Sequence, residues 1–285
     1  MYQQLISPEQ LSQIITLPEL VILDASIPPI IGMSTPLYSW PETIINSTRR
    51  FDINNQFSDL HNPLPHTMPT EQQFNAQAQQ LGINYNSQIV VYDHFGVFSS
   101  ARAWWMFKAM GHHNVAVLNG GLPAWLKAGF ETVKMVEKPD YKLGDFNGAF
   151  DKNYFCDAKQ VFLMLKQNSS QVLDARSPTR FLGQEAEPRA GVRSGHMPNA
   201  KNLHYKSLQI EGNLVNIEQL QQCFQQVNIE NKPLAMSCGS GVTACVLALA
   251  ADILGYKNIQ VYDGSWSEWG ADPQLPIETQ PIKIS

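Results

Sequence analysis

The sequence predicts an α/β protein made of two tandem copies of one parallel-sheet domain. Three observations carry that prediction: the length, an internal repeat at domain spacing, and unbroken apolar runs alternating with helical stretches. The chain has 285 residues, which at roughly 150 residues per domain is room for two. Met110-Gly-His-His-Asn-Val-Ala-Val-Leu-Asn-Gly-Gly reads against Leu254-Gly-Tyr-Lys-Asn-Ile-Gln-Val-Tyr-Asp-Gly-Ser. Gly111, Asn114, Gly120 and Trp125 thereby match Gly255, Asn258, Gly264 and Trp269 at one offset of 144. Upstream, Val21-Ile-Leu-Asp-Ala-Ser resembles Gln171-Val-Leu-Asp-Ala-Arg-Ser, with Asp24 matching Asp174 at an offset of 150. A period that long is a duplicated domain rather than a solenoid repeat.

In chain order, the first half reads as strand Leu20–Leu23, helix Thr70–Leu81, strand Ile89–Tyr92, helix Ser99–Met110 and strand Val115–Leu118. The second half repeats this grammar with helix Asp157–Lys166, strand Val172–Leu173, helix Ile217–Val227, strand Leu234–Met236, helix Thr243–Leu254 and strand Ile259–Tyr262. Apolar runs without alternation suit strands buried on both faces of a parallel sheet. Gly111 and Gly255 stand where a left-handed residue closes a helix. His112 and His113 follow the same helix end, where a positive charge is favourable. Strands alternating with helices imply right-handed crossovers. The turn-rich stretch Pro139–Gly148 reads as a linker, so the domains are set at 1–138 and 149–285 with the linker at 139–148.

Composition narrows the function classes. Hydrophobic residues make up 44% and charged residues 16%, enough apolar material for two cores. Lys and Arg number 20 against 25 Asp and Glu, a net charge of −5 without a basic block. That argues against nucleic-acid and membrane-surface partners. No apolar run approaches the roughly 20 residues of a membrane span. The opening residues lack the basic and apolar regions of an export signal, so a cytoplasmic protein is expected. Cys156, Cys223, Cys238 and Cys245 form neither a disulfide framework nor a Cys-x-x-Cys pair, and no metal site is expected.

One cysteine stands apart. Ser237-Cys238-Gly239-Ser240-Gly241-Val242-Thr243-Ala244 follows the strand ending at Met236 and opens the helix at Thr243. The loop thus lies at the carboxyl end of a parallel strand, where ligands bind in open α/β sheets. Its glycines let successive amides turn inward as an anion-binding nest at a helix N-terminus. That field favours the thiolate, the nucleophilic form. Cys238 as a small buried hydrophobe is the competing reading, and the Gly-Ser-Gly beside it is hard to explain by packing. Cys245, inside an apolar helix, reads as core.

At these residues the chain resembles the rhodanese-type sulfurtransferases, and within them the 3-mercaptopyruvate branch. The resemblance runs from about Val21 to Trp269. It implies two tandem rhodanese-like domains, each a parallel sheet flanked by helices, with the active site in the cleft between them. It also implies that Cys238 carries sulfur as a persulfide cradled by Gly239, Ser240, Gly241, Val242 and Thr243. Asp174-Ala-Arg-Ser-Pro-Thr-Arg180-Phe-Leu-Gly followed by Glu187-Pro-Arg189 is similar to the segment whose arginines hold mercaptopyruvate. That role carries over to Arg180 and Arg189, and guanidinium forks do suit planar carboxylates. On spacing alone both also read as surface or hinge salt-bridge residues. Ser58-Asp59-Leu-His-Asn-Pro-Leu-Pro-His66 matches the segment that supplies Asp59 and His66 to a relay with Ser240. His196, in Gly195-His196-Met-Pro-Asn-Ala, matches a structural turn.

The first copy reads as non-catalytic, because Tyr92-Asp93-His94-Phe-Gly-Val-Phe-Ser-Ser replaces the cysteine loop. Arg102, on the helix after it, reads as a structural pairing residue. Between Ser26 and Arg49 the chain departs from the family pattern.

Three rivals are weighed. Thiosulfate:cyanide sulfurtransferases carry basic residues in the loop where Gly239 and Ser240 stand here, so a singly charged keto-acid is the better electrostatic match. A cysteine phosphatase needs an arginine six residues after the nucleophile, and that position is Ala244. A non-catalytic tandem binding module fits poorly with an intact cysteine loop. The expected reaction passes sulfur from 3-mercaptopyruvate through Cys238 to a thiol, a thioredoxin-like protein or cyanide, with no cofactor.

Overall fold

The computed structural model describes residues 4–28, 43–134, 141–229 and 232–280. Residues 29–42 of the divergent Ser26–Arg49 stretch, and Pro139 and Asp140 of the expected linker, lie outside the described residues. The chain divides into two compact units. The first takes residues 1–61, 68–151 and 210–214, and the second takes 62–67, 152–209 and 215–285.

The first unit runs β1 (Leu5–Ile6), α1 (Pro8–Ile14), β2 (Leu20–Asp24), β3 (Thr43–Ile44), β4 (Thr48–Arg50), α2 (Glu71–Gln80), β5 (Gln88–Tyr92), α3 (Ser100–Ala109), β6 (Val115–Leu118), α4 (Gly121–Lys127) and β7 (Val133–Lys134). Its main sheet is parallel throughout, in the order β1-β6-β5-β2-β4. All of β2 and all of β6 are buried, as their apolar runs require. Helix α1 begins in a capping box between Ser7 and Gln10, which satisfies its first orphan amides.

The second unit runs β8 (Phe155–Cys156), α5 (Ala158–Gln167), β9 (Gln171–Asp174), α6 (Pro178–Phe181) and β10 (Lys201–Asn202). The chain then forms the short strands β11 (Gln209–Ile210) and β12 (Asn213–Leu214), of which residues 210–214 belong to the first unit, and re-enters the second with α7 (Ile217–Gln226), β13 (Leu234–Ser237), α8 (Ala244–Ile253), β14 (Ile259–Tyr262) and α9 (Ser265–Trp269). The five-stranded sheet has the order β10-β9-β13-β14-β8, again all parallel. Strand for strand this is the order of the first sheet, so the duplication seen in the sequence is a duplication of topology. Capping boxes at Asp157–Gln160 and Asn216–Gln219 start α5 and α7. The expected glycine stops follow α3 and α8, with φ +76° at Gly111 and +82° at Gly255.

Two readings change in the structure. The described part of the expected linker is a strap of the first unit. Gly144 N–H donates to Gln79 O at 2.8 Å, and Phe146 N–H donates to Ile83 O at 3.1 Å. Phe146 is fully buried with its ring 5.8 Å from Phe74 and 5.9 Å from Phe107. Turn residues suggested a loose connection, but a Cβ on Gly144 would stand 2.0 Å from Ile83 O, so glycine serves a close backbone approach here. His112 also differs from the expected helix-end cation. It is buried with a ring nitrogen 3.0 Å from Ser87 O, and burial holds its imidazole below the ordinary value.

Candidate active site

Register brings three carboxyl strand ends together in the second unit. Ser237 of β13 pairs with Asp174 of β9, and Met236 pairs with Val261 of β14. The segments that follow, 175–180, 238–243 and 263–267, therefore emerge side by side, as the rule for ligand sites in parallel sheets anticipates.

Cys238 is buried in the middle segment. Its backbone is held by the segment after β14. Cys238 N–H donates to Ser265 Oγ at 3.2 Å, and that hydroxyl donates to Tyr262 O at 2.8 Å. Trp266 N–H donates to Cys238 O, and Ser267 N–H donates to Gly239 O, both at 2.9 Å. Gly241 takes a φ of +75°, a conformation costly to any residue with a Cβ, and its carbonyl accepts the Cys245 thiol at 3.2 Å. Cys245 is core as expected, and it also braces the loop.

The duplication supplies an internal comparison. At the offset of 144, Asp93 stands where Ser237 stands in the second copy. The Asp93 carboxylate turns back into its own loop and accepts Phe95 N–H at 2.9 Å, Phe98 N–H at 2.9 Å, Ser100 N–H at 2.8 Å and Ser100 Oγ–H at 2.6 Å. The first loop is therefore a nest already filled by a carboxyl group of the chain itself, one whose pKa burial pushes above the ordinary value against these hydrogen bonds. Its counterpart has the uncharged Ser237 in place of that carboxyl group.

Three arginines lie on or reach the segments that flank the loop. Arg176 is buried and chelated by Asp174, donates from Nη1 to Glu187 Oε1 at 2.8 Å, and stacks 4.1 Å over the Trp266 ring. Burial works against its charge, but Asp174 and Glu187 hold the guanidinium above its ordinary value. Glu187 also accepts both Nε and Nη2 of Arg180. A Cβ on Gly239 would stand 3.4 Å from Arg180 Nη2, which places that guanidinium against the loop. Arg189 donates from Nη1 to Ser267 Oγ at 3.1 Å. Burial lowers its guanidinium, and the opposing pull comes first from Cys238. Arg180 and Arg189 are therefore both at the cysteine loop rather than dispersed on the surface.

His66 Nδ1 lies 3.0 Å from Ser240 Oγ across 174 residues of sequence, and His66 itself has φ +62°. Ser265, the other brace, has φ +50°. Two non-glycine residues in the left-handed region, both bonded to the cysteine loop, mark it as a site where the fold tolerates strain. Asp59 belongs to the first unit, where its Oδ1 accepts His61 N–H at 3.0 Å. Arg102 is fully buried on α3. His196 is structural: its ring stacks on Phe181 at 3.9 Å, and Nδ1 lies 2.8 Å from Phe181 O.

Sequence reasoning passed over Ser265, Ser267 and the bracing role of Glu187. Gly264 and Trp269 were visible in the repeat, but nothing in Ser265-Trp-Ser-Glu-Trp announced a clamp on a loop 27 residues upstream. Among the described residues no group of His, Cys, Asp and Glu is arranged to hold a metal ion.

A parallel sheet with a buried cysteine just past the carboxyl end of a central strand defines a class, and comparison with known proteins gives it a family. The rhodanese-like domain model matches residues 7–128 and again 157–272. The chain belongs to the rhodanese-like family, and it is a sulfur-transferring enzyme. It is 40% identical over 235 residues to the 3-mercaptopyruvate sulfurtransferase of Escherichia coli K12, covering 82% of each chain. It is 37% identical over 283 residues to the mitochondrial thiosulfate/3-mercaptopyruvate sulfurtransferase 1 of Arabidopsis thaliana, covering 92% of this chain and 74% of that one. The crystal structure of SseA from Escherichia coli, a 3-mercaptopyruvate sulfotransferase, superposes with a TM-score of 0.82 at 32% identity, covering 93% of this chain and 99% of the other.

Proposed function

We propose that the chain moves sulfur from 3-mercaptopyruvate through a persulfide on Cys238. The Cys238 thiolate attacks the donor's sulfur, so an S–S bond forms as the donor's C–S bond breaks. The electron pair of the broken bond leaves with pyruvate as its enolate. Arg180 and Arg189 hold the donor's carboxylate and carbonyl, and the amides of Gly239, Ser240, Gly241, Val242 and Thr243 receive charge at the sulfur. A proton reaches the enolate carbon through Ser240 and His66, with Asp59 as the group that orients the relay. Attack by the acceptor's nucleophile, the thiolate of a small thiol or thioredoxin-like protein or else cyanide, on the outer sulfur then breaks the S–S bond and returns its electron pair to Cys238. Every bond change is supplied by donor, protein and acceptor, so the chemistry calls on no further group.

The observation that supports this best is the grouping around one buried cysteine: two guanidiniums at its loop and a histidine 3.0 Å from the hydroxyl of Ser240. Thiosulfate is the second donor, favoured by the name of the Arabidopsis relative and by the same two arginines. The compartment proposed is the cytoplasm, after the bacterial relative. Among the described residues no helix is long and apolar enough to cross a membrane. Assaying both donors side by side, with intact mass after donor alone, tests the reading. One added sulfur on Cys238 and faster use of mercaptopyruvate are expected. A persulfide mainly on Cys156, Cys223 or Cys245 would refute the assignment.

A further inference from the structure

Ser267 is where the two halves of the site meet. Its backbone N–H and its hydroxyl both donate to Gly239 O, at 2.9 and 2.6 Å, and the hydroxyl oxygen accepts Arg189 Nη1–H at 3.1 Å. The hydroxyl has one proton, and it is committed to Gly239; the lone pairs left over face the guanidinium. The bonding is thus directional, running from Arg189 through Ser267 into the cysteine loop. Ser267 is buried, so water does not readily substitute for either contact.

The peptide plane gives this chain of bonds a consequence. In a trans peptide the N–H points opposite to the C=O. Fixing the Gly239 carbonyl toward Ser267 therefore turns the Ser240 N–H the other way, and fixing the Cys238 carbonyl on Trp266 N–H does the same for Gly239 N–H. Arg189, reached through the same hydroxyl, is set in register with those two amides. Its charged neighbours act in opposite senses: Cys238 and Glu187 attract it and Arg180 repels it. None of these is a hydrogen bond of the kind that Ser267 supplies at 3.1 Å.

We propose that Ser267 is a positioning residue that sets the Arg189 guanidinium against the cysteine loop through the chain Arg189 Nη1–H···Oγ–H of Ser267···O=C of Gly239. This rests on the reading that Arg189 grips the donor's carboxylate. Removing the hydroxyl leaves the backbone bond from Ser267 N to Gly239 O, so the loop stays in place while Arg189 loses its tether. Binding of the keto-acid then suffers more than the chemistry at sulfur.

The test is a double-mutant cycle on mercaptopyruvate kinetics with wild type, Ser267→Ala, Arg189→Ala and the double variant. Ser267→Ala is expected to raise KM by about tenfold while kcat stays within about twofold. On the Arg189→Ala background, the same substitution is expected to add less than about twofold. A full tenfold loss on both backgrounds would show that Ser267 acts through the loop alone and would overturn the inference. So would an unchanged KM in Ser267→Ala alongside a damaged Arg189→Ala, an outcome that leaves the proposed donor intact. An undamaged Arg189→Ala would instead remove the carboxylate reading, and the inference with it.

Discussion

Glu187 is the joint of the charged network, and removing it should be costly. Its carboxylate is buried and accepts three N–H groups: Arg176 Nη1 at 2.8 Å, Arg180 Nε at 3.2 Å, and Arg180 Nη2. Deleting one member of a buried ion pair typically costs about 3–5 kcal/mol, because the partner charge is left in a poor solvent. Two features of the structure set the figure at the lower end. Arg176 keeps Asp174 and the carbonyl of Gly195, and it still stacks on Trp266. Arg180, with 20% of its side chain exposed, turns to water more readily. Glu187→Ala should therefore destabilise the second unit by about 3 kcal/mol. Glu187→Gln keeps the shape and one oxygen acceptor and loses the charge, so it should cost about 1–2 kcal/mol. Urea unfolding followed by tryptophan fluorescence reads this, with the transition of the second unit fitted separately. The mercaptopyruvate KM should rise in both variants, because Arg180 loses the brace that aims its fork. A loss below about 1 kcal/mol in Glu187→Ala would place the pair among ordinary surface bridges and refute the reasoning.

Other outcomes follow from the same geometry. Replacing Arg180 or Arg189 by Ala should lower kcat/KM for mercaptopyruvate by about tenfold or more, with Lys only a partial rescue because it lacks the bidentate fork. Steady-state kinetics decide it, and wild-type values in both Ala variants would reduce the arginines to structural residues. Gly239→Arg with Ser240→Lys should move the ratio of kcat/KM values toward thiosulfate at fixed low ionic strength. A Cβ at position 239 meets Arg180 Nη2 at 3.4 Å, so the first addition fits at its Cβ and brings a second guanidinium beside Arg180. Loss of the Ser240 hydroxyl breaks the contact to His66, so mercaptopyruvate turnover should fall in the same variant; a ratio that stays put would place donor choice elsewhere. His112 gives a pH dependence. Burial lowers its pKa in the fold, so the unfolded chain takes up the proton first as pH falls below the ordinary value of 6.5. Its contribution to stability is whole above that pH and shrinks as acid carries the solution down toward the folded value. His112→Gln should flatten that acid limb of the urea midpoint against pH, and an unchanged limb would assign it to other groups.

The central strands were legible because their burial on both faces demands unbroken apolar runs. β2, β5, β6, β13 and β14 lie within a residue of where those runs stand. The edge strands β1, β4, β8 and β10 have two or three residues each, too few to show a period, and only pairing with a neighbour makes them strands. The strap at 141–148 was misread for a related reason. Its turn residues look alike whether they join domains or fit against Ile83 and Gln79, and the buried ring of Phe146 decides between them.

For the site, the residue types and the local grammar were written in the chain: a cysteine between a strand and a helix, glycines that free the loop backbone, and arginines in one short segment. Those are properties of neighbours in sequence, and composition and spacing expose them. Contacts between remote segments needed the sheet register to exist at all. Ser267 reaches Gly239 because β13 and β14 are adjacent parallel strands, and the Asp174–Arg176–Glu187 network reaches the loop because β9 pairs with β13. Sequence by itself determined what chemistry the loop offers. Tertiary structure alone decided which groups aim it, because hydrogen bonds and ion pairs act over a few ångströms and only the fold brings residues tens of positions apart within that range.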